Sequence, residues 1–303
     1  MYRKSTFNEK GYWLKGNTHA HTNISDGLMT PAELIETYRK LGYDFLAITD
    51  HDIYGIHDEL DKPDFLVLPG VEVDMADAKM GISCHHVVGL GIPGENAFSH
   101  GEKLEYPKDS KLSDVIDLLE QRGNLCIYAH PNWSHSIHEE LVPVEGLLGM
   151  EIYNHTTEVT RACGYSGSYY DRMLWEKKKL WCFACDDTHQ KREDIGGGFI
   201  VVKAEAFNGA SVINALQKGS FYASQGPEIF DFYVESGYAC ISCSPSRLIG
   251  FQSDTTRGGA GIDPEAGLTQ AEHKLSGSES YVRGFCIDKY GRKAWTQPVY
   301  LDE

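Results

Sequence analysis

Apolar and polar positions along residues 1–226 switch repeatedly between two periods. Runs such as Asp44-Phe45-Leu46-Ala47-Ile48-Thr49 and Leu125-Cys126-Ile127-Tyr128-Ala129 are almost continuously apolar, as strands covered on both faces are. Strand ends are predicted at His19, Thr49, Val73, Gly89, His130, Asn154, Asp187 and Lys203. Between them lie stretches with apolar residues three and four apart, the period of a helix with one packed face. One opens with Thr30-Pro31-Ala32-Glu33, a capping box with proline in the first turn, and sets Leu34, Ile35, Tyr38 and Leu41 on one face before Gly42. A second uses Leu112, Val115, Ile116 and Leu119 before Gly123, and a third follows Asn208 and stops near Gly219. Such alternation predicts a parallel α/β sheet, and seven or eight strands favour its closure into a barrel.

From residue 228 the pattern changes. Ile229–Glu235 alternates apolar with polar residues, as a half-exposed strand does. Residues 253–268 read as a Gly-rich loop, and Tyr281–Ile287 and Ala294–Leu301 flank Asp288-Lys289-Tyr290-Gly291 as a hairpin. The expected division is an α/β unit over 1–227 and a small antiparallel, β-sandwich-like module over 228–303.

The net charge of −16, divided as −12 before residue 228 and −4 after it, disfavours long nucleic acid, whose binding works by neutralising phosphates with Lys and Arg. No apolar run is long enough for a membrane helix, and residues 1–17 carry no apolar stretch that a signal peptidase could use. A cytoplasmic location with its eight cysteines reduced is therefore expected. Cys182/Cys185 and Cys240/Cys243 fall within strands, where positions three apart face opposite ways, so they read as packed thiols and not as a zinc ribbon. Gly196-Gly197-Gly198 precedes a strand, the wrong order for a phosphate loop.

All of the 13 histidines but His273 precede residue 190, and many sit with acids at predicted strand ends. His19-Ala20-His21, Ser25-Asp26-Gly27, Thr49-Asp50-His51-Asp52, Gly70-Val71-Glu72, His85-His86, His130-Pro131 and Asp186-Asp187-Thr188-His189 would meet on one face of a parallel barrel. Two imidazoles in His-X-His point the same way. A set of imidazoles and carboxylates without thiolate suits Zn²⁺, Mn²⁺ or Fe²⁺. Asp50, Asp52 and Asp186 are expected to orient neighbours. His57, His100, His135 and His138 lie in polar loops and are expected to be solvated.

The series of motifs, in this order over about residues 15–203, closely resembles the polymerase-and-histidinol-phosphatase (PHP) family. The resemblance implies a distorted (β/α)7 barrel that holds two or three divalent ions and hydrolyses phosphate esters. At the matching positions His19, His21, Glu72 and Asp187 hold one ion. Glu72 bridges to a second held by His86 (chosen over His85) and His130, and Asp26, His51 and His189 hold the third. Glu72 and Asp187 then serve catalysis through water on the ions. His155, Arg161 and Arg192 are candidate substrate contacts, since guanidinium groups bind oxyanions bidentately. The expected substrate is a small phosphorylated metabolite or nucleotide. A 5′-3′ exonuclease acting on short nucleic acid, an amidohydrolase-type C–N hydrolase and a non-catalytic binding module are the competing readings.

Overall fold

A computed structural model describes residues 3–8, 10–76, 84–95 and 98–301. Its strands begin with β1 (Arg3–Lys4), β2 (Tyr12–Asn17), β3 (Phe45–Ala47), β4 (Leu66–Leu68), β5 (Gly70–Ala76) and β6 (Cys84–Gly91). They continue with β7 (Asn124–Tyr128), β8 (Leu147–Asn154), β9 (Trp181–Cys185), β10 (Phe199–Ala204) and β11 (Phe221–Ser224). The C-terminal part adds β12 (Ile229–Glu235), β13 (Tyr238–Ser246), β14 (Leu248–Ser253), β15 (Gly259–Ile262), β16 (Leu268–Lys274), β17 (Tyr281–Ile287) and β18 (Lys293–Thr296). The helices that matter below are α1 (Pro31–Lys40), α2 (Leu112–Gln121), α3 (His155–Arg161), α4 (Gly167–Trp175) and α5 (Gly209–Gln217).

The fold is α/β, but its sheets are mixed and no closed barrel forms among the described residues. A five-stranded sheet has the order β5-β6-β7-β8-β9, and a larger one runs β15-β14-β17-β18-β11-β10-β2-β3-β4. Parallel ladders run through β2-β3-β4 and β7-β8-β9, while β5-β6-β7 and β2-β10-β11 are antiparallel. This corrects the all-parallel expectation. Only seven residues separate β5 from β6, whereas a parallel crossover needs about a dozen. The strand expected to end at Val73 is two strands, because Pro69 has no N–H for a ladder. Leu66–Leu68 pairs with β3, and Gly70 onward pairs with β6. Single bridges, Ala20↔Thr188 and His51↔Glu72, join the two sheets.

Helix α1 starts as its sequence dictates. Thr30 Oγ1 accepts from Glu33 N and Glu33 Oε2 accepts from Thr30 N, a cap worth about 1 kcal/mol. Leu34, Ile35 and Tyr38 are buried against Leu46, Ile48 and Val67. Leu41, expected on that face, is instead exposed, because the helix has already ended at Lys40. α2 buries Leu112, Val115, Ile116 and Leu119, and α5 is capped by Asn208, whose side chain accepts from Ser211 N.

Strands β12, β13 and β16 form, with β1, a separate antiparallel sheet. Its inner residues Phe232, Ile241 and Cys243 meet Ile249, Phe251, Val282 and Cys286 of the larger sheet in one apolar core. The expected loop 253–268 contains β15, paired with β14 from Leu248↔Ile262 to Phe251↔Gly259. Glycines weaken a strand's own signal, and pairing to a formed partner supplies what composition lacks. The larger sheet is continuous across residue 228 through Tyr222↔Thr296 and Ser224↔Ala294. No helix among the described residues is long and apolar enough to cross a membrane.

Candidate metal centre

The ends of β2, β3 and β9, together with the middles of β5 and β6, deliver imidazoles and carboxylates to one buried place. Glu72 is at its centre. Its Oε2 lies 3.1 Å from His19 Nε2, 3.1 Å from His21 Nε2 and 3.2 Å from His51 Nδ1. Its Oε1 lies 2.8 Å from His86 Nδ1 and 3.1 Å from His130 Nε2. Asp187 Oδ1 stands 2.9 Å from His21 Nε2 and 3.2 Å from His19 Nε2, while its Oδ2 is 3.9 Å from His130 Nε2. On the open side Asp26 Oδ1 is 3.3 Å from His189 Nε2 and 3.8 Å from His51 Nε2, and Asp26 Oδ2 pairs with Lys191 at 3.1 Å.

These positions form two sets that could each hold an ion, His19/His21/Glu72/Asp187 and His21/Asp26/His51/His189, and a third, His51/Glu72/His86, beside His130. The first two contain residues grouped by the family resemblance. In the third, His51 stands where His130 was expected, because His51 presents its two nitrogens to opposite sides. His86 also turns Nε2 to Asp74 Oδ1 at 3.1 Å, an acid that the motifs did not single out.

The donor set fits divalent cations. Glu72 Oε2 and His51 Nδ1 are buried within ion-pair distance of their neighbours but make no well-aligned hydrogen bond, and His21 Nδ1 makes none either. His19 Nε2 and His21 Nε2 face each other at 3.2 Å. Adjacent ligands of an ion with bonds of ~2.1 Å lie roughly 3.0 Å apart when at right angles, which is the spacing seen. Without an ion, protons supply the counter-charge. Burial alone would lower the pKa of His21, but Asp187 and Glu72 raise it to about 9. The same contest lifts His19 and His86 well above an ordinary imidazole, and Glu72 is held well below the usual carboxylate range against its burial by His19, His86 and His51. Burial pushes His51 the other way, down.

A second layer fixes the rings. Glu151 Oε1 is 2.7 Å from His19 Nδ1, and its Oε2 accepts from His130 N at 2.8 Å and from Asn154 Nδ2 at 2.9 Å. The Cys185 thiol donates to Glu151 Oε1. Sequence reasoning missed Glu151; its signal is a lone charge inside the apolar strand Leu147–Asn154. Asp50 accepts from Thr22 N and Oγ1 and from Ser25 Oγ, which ties down the loop that carries Asp26. Asp186 accepts from Tyr38 Oη and from the N–H groups of Gly196, Gly197 and Gly198. His130 and Asp187 hold φ of 28° and 55°, a conformation that costs non-glycine residues roughly 1–2 kcal/mol and clusters at functional sites.

The remaining positions separate clearly. His85 faces Tyr128 Oη at 2.7 Å, away from Glu72. Trp133 sets its ring edge-on to His86 and His130, 5.5 and 4.9 Å between centroids, and the Arg161 guanidinium lies 5.4 Å from the Trp133 ring. His155 turns to Tyr153 Oη at 2.8 Å, beneath Gly197, and Arg192 is exposed. His57 and His138 are buried, not solvated as expected: His57 packs against His100 and His138 lies 3.8 Å from Glu176 at the end of α4, contacts that local polarity does not reveal. Cys182, Cys185 and Cys243 are buried free thiols.

An α/β protein with a buried imidazole–carboxylate cluster at its strand ends is thus defined. Residues 17–153 match the family model of the PHP domain; Asp187 and His189 reach the same cluster from beyond the matched stretch. The chain is 32% identical over 94 residues to a 5′-3′ exoribonuclease of Salmonella typhimurium and 37% identical over 90 residues to a 3′,5′-nucleoside bisphosphate phosphatase of Chromobacterium violaceum. These matches take in 29% and 28% of this chain and span only 31% and 30% of the two relatives. The fold is shared over 96% of both chains, at TM-score 0.52 and 14% identity, with a two-domain Bacteroides vulgatus protein containing a predicted PHP-like metal-dependent phosphoesterase.

Proposed function

We propose that this protein is a metal-dependent phosphoesterase that hydrolyses a phosphomonoester of a small metabolite or nucleotide at a centre of two or three divalent ions. The observation that carries the reading is Glu72, one buried carboxylate set among five imidazoles with an oxygen that makes no well-aligned hydrogen bond. His19, His21, Glu72 and Asp187 hold one ion, Glu72, His86 and His130 a second, and Asp26, His51 and His189 a third. Imidazole and carboxylate donors suit Zn, Mn or Fe. Bound ions would offset phosphoryl charge and bring the pKa of a shared water toward neutrality. Glu151, at His19 Nδ1, keeps His19 Nε2 directed at the centre and holds the His130 backbone, while Ser134 Oγ faces His130 Nδ1. Arg161, 5.4 Å from the Trp133 ring, orients the anionic substrate, and His155 and Arg192 are further substrate contacts.

In this reading the five-stranded sheet and β2-β3 wrap the centre from two sides as an open relative of a (β/α)7 arrangement, bridged at Ala20↔Thr188 and His51↔Glu72. Residues 1–227 form the cytoplasmic phosphoesterase unit and 228–303 its β module. A second reading, exonucleolytic cleavage of short nucleic acid, is favoured by the exoribonuclease relative; the net charge of the first 227 residues limits it to a short end.

Elemental analysis followed by a phosphate-release screen over phosphorylated metabolites, with a labelled oligonucleotide in parallel, tests both. Bound transition metal, release of phosphate and its loss on chelation or in His19→Ala are expected. Mononucleotide release from the oligonucleotide alone supports the second reading, and full activity after complete metal stripping overturns both.

A further inference from the structure

A cleft of about 870 Å³ opens between the outer face of β2-β10-β11 and the C-terminal strands. It shares no lining residue with the metal centre. Its size is that of a small-molecule site, and junctions between units are where such sites concentrate. Side chains alternate along β2, so Leu14 enters the main core while Trp13 and Lys15 face the cleft.

Two features distinguish it from a surface crease. Trp13, Phe230 and Tyr290 line it and remain 38%, 55% and 71% exposed. Trp13 packs edge-on against Phe7 and Tyr222, and Tyr290 lies beside Arg292 and Lys289, yet all three rings keep exposed surface, and rings are what planar ligands stack on. The second feature is cationic. The Lys15 ammonium lies 4.0 and 4.3 Å from the ring centroids of Tyr43 and Phe199 and makes no ion pair among the described residues. Burial lowers its pKa, which Asp186 and Asp44 oppose. On the facing wall the Arg292 guanidinium occupies the space left by Gly226, where a Cβ would come within 2.7 Å of Cζ.

The acids of the cleft touch the two cations differently. Asp44 Oδ2 accepts from Lys15 N and not from its ammonium, whereas Asp288 pairs with the Arg292 guanidinium through Nε at 2.7 Å and also accepts from Tyr290 N and Arg292 N, which fixes Arg292 at the wall. Glu228 and Glu265 are exposed at the rim, where solvent and salt screen them.

We propose that this cleft is a second ligand site, for a small aromatic anion of the mononucleotide type, with its ring among Trp13, Phe230 and Tyr290 and its phosphate at Lys15 and Arg292. It is independent of the metal centre and of the reaction performed there.

Isothermal titration of AMP into chelator-treated protein tests it, repeated in His19→Ala so that the metal centre contributes nothing. One AMP per chain is expected, bound more tightly than adenosine or inorganic phosphate alone. Lys15→Gln, which keeps the flanking rings, should weaken AMP about ten-fold or more, the scale of one charge-assisted contact. Tyr290→Ala removes only a surface ring and should weaken it several-fold. No binding at millimolar AMP overturns the proposal, as does binding that neither variant weakens or inorganic phosphate that matches AMP. Binding lost in His19→Ala but kept in Lys15→Gln also overturns it, and leaves the phosphoesterase reading untouched.

Discussion

The imidazole–carboxylate cluster and the C-terminal sandwich both bury charge, and they treat it in opposite ways. Glu279, beside the sandwich, is buried, yet its carboxylate accepts from Ser276 N and Oγ, Gly277 N and Ser278 N. Glu72 is as deeply buried, and its Oε2 has only imidazole nitrogens at 3.1–3.2 Å and no well-aligned hydrogen bond. An unsatisfied buried charge is costly, so a structure tolerates it where a ligand completes it. Arg283 is the sandwich's exception: its Nη2 donates to Asp171 of α4, while Nε and Nη1 have no partner.

The contrast can be broken experimentally. Glu72→Gln, or chelation of the loaded protein, should remove on the order of 10³-fold or more of phosphate release while circular dichroism keeps its folded spectrum; retained activity would place the chemistry elsewhere. Phe232→Ala should destabilise the protein by about 3–5 kcal/mol in denaturant titration and leave the metal content of the folded fraction unchanged. Loss of metal from that folded fraction would show that the two regions are one cooperative site. Glu151→Gln keeps the shape of its side chain but weakens its hold on His19 and His130. Metal affinity should fall about 10–100-fold by competition with a chromophoric chelator, and an unchanged affinity would make Glu151 merely structural.

The smallest effect concerns pH. Burial would raise the pKa of Glu279, but hydrogen bonds from Ser276 and Gly277 bring it down to about 2. A lowered carboxylate pKa stabilises the folded state above the unfolded value and loses that contribution as pH falls through the folded one. Glu279→Gln should therefore unfold more easily than wild type at pH 7, and the difference should shrink between about pH 4.5 and pH 2. A gap that is constant with pH would mean that the hydrogen bonds, and not the charge, matter.

Much of the centre was legible because strand ends and His-X-His spacing follow from a period of two. His19, His21 and Asp187 needed only the correct placement of their strand ends. Glu72 was found for a partly wrong reason: it lies within an antiparallel strand, not at a parallel strand's end. Glu151 and Asp74 were missed because one acid within a strand has the same local pattern whether it faces solvent or a histidine. β15 was hidden by its glycines, and sheet direction was invisible to periodicity, which records faces and not neighbours. The burial of His57 and His138 depends on neighbours distant in the chain, His100 beside His57 and the end of α4 near Glu176 beside His138.

The hydrogen-bonded seam at Tyr222↔Thr296, Ala223↔Trp295 and Ser224↔Ala294 has a practical consequence. Cutting the chain after residue 227 would not free a ready-made catalytic unit. It would strip β11 of its neighbour and bare a row of amide and carbonyl groups, a template for intermolecular association. A shortened protein of that kind should precipitate or self-associate even with every imidazole of the centre intact.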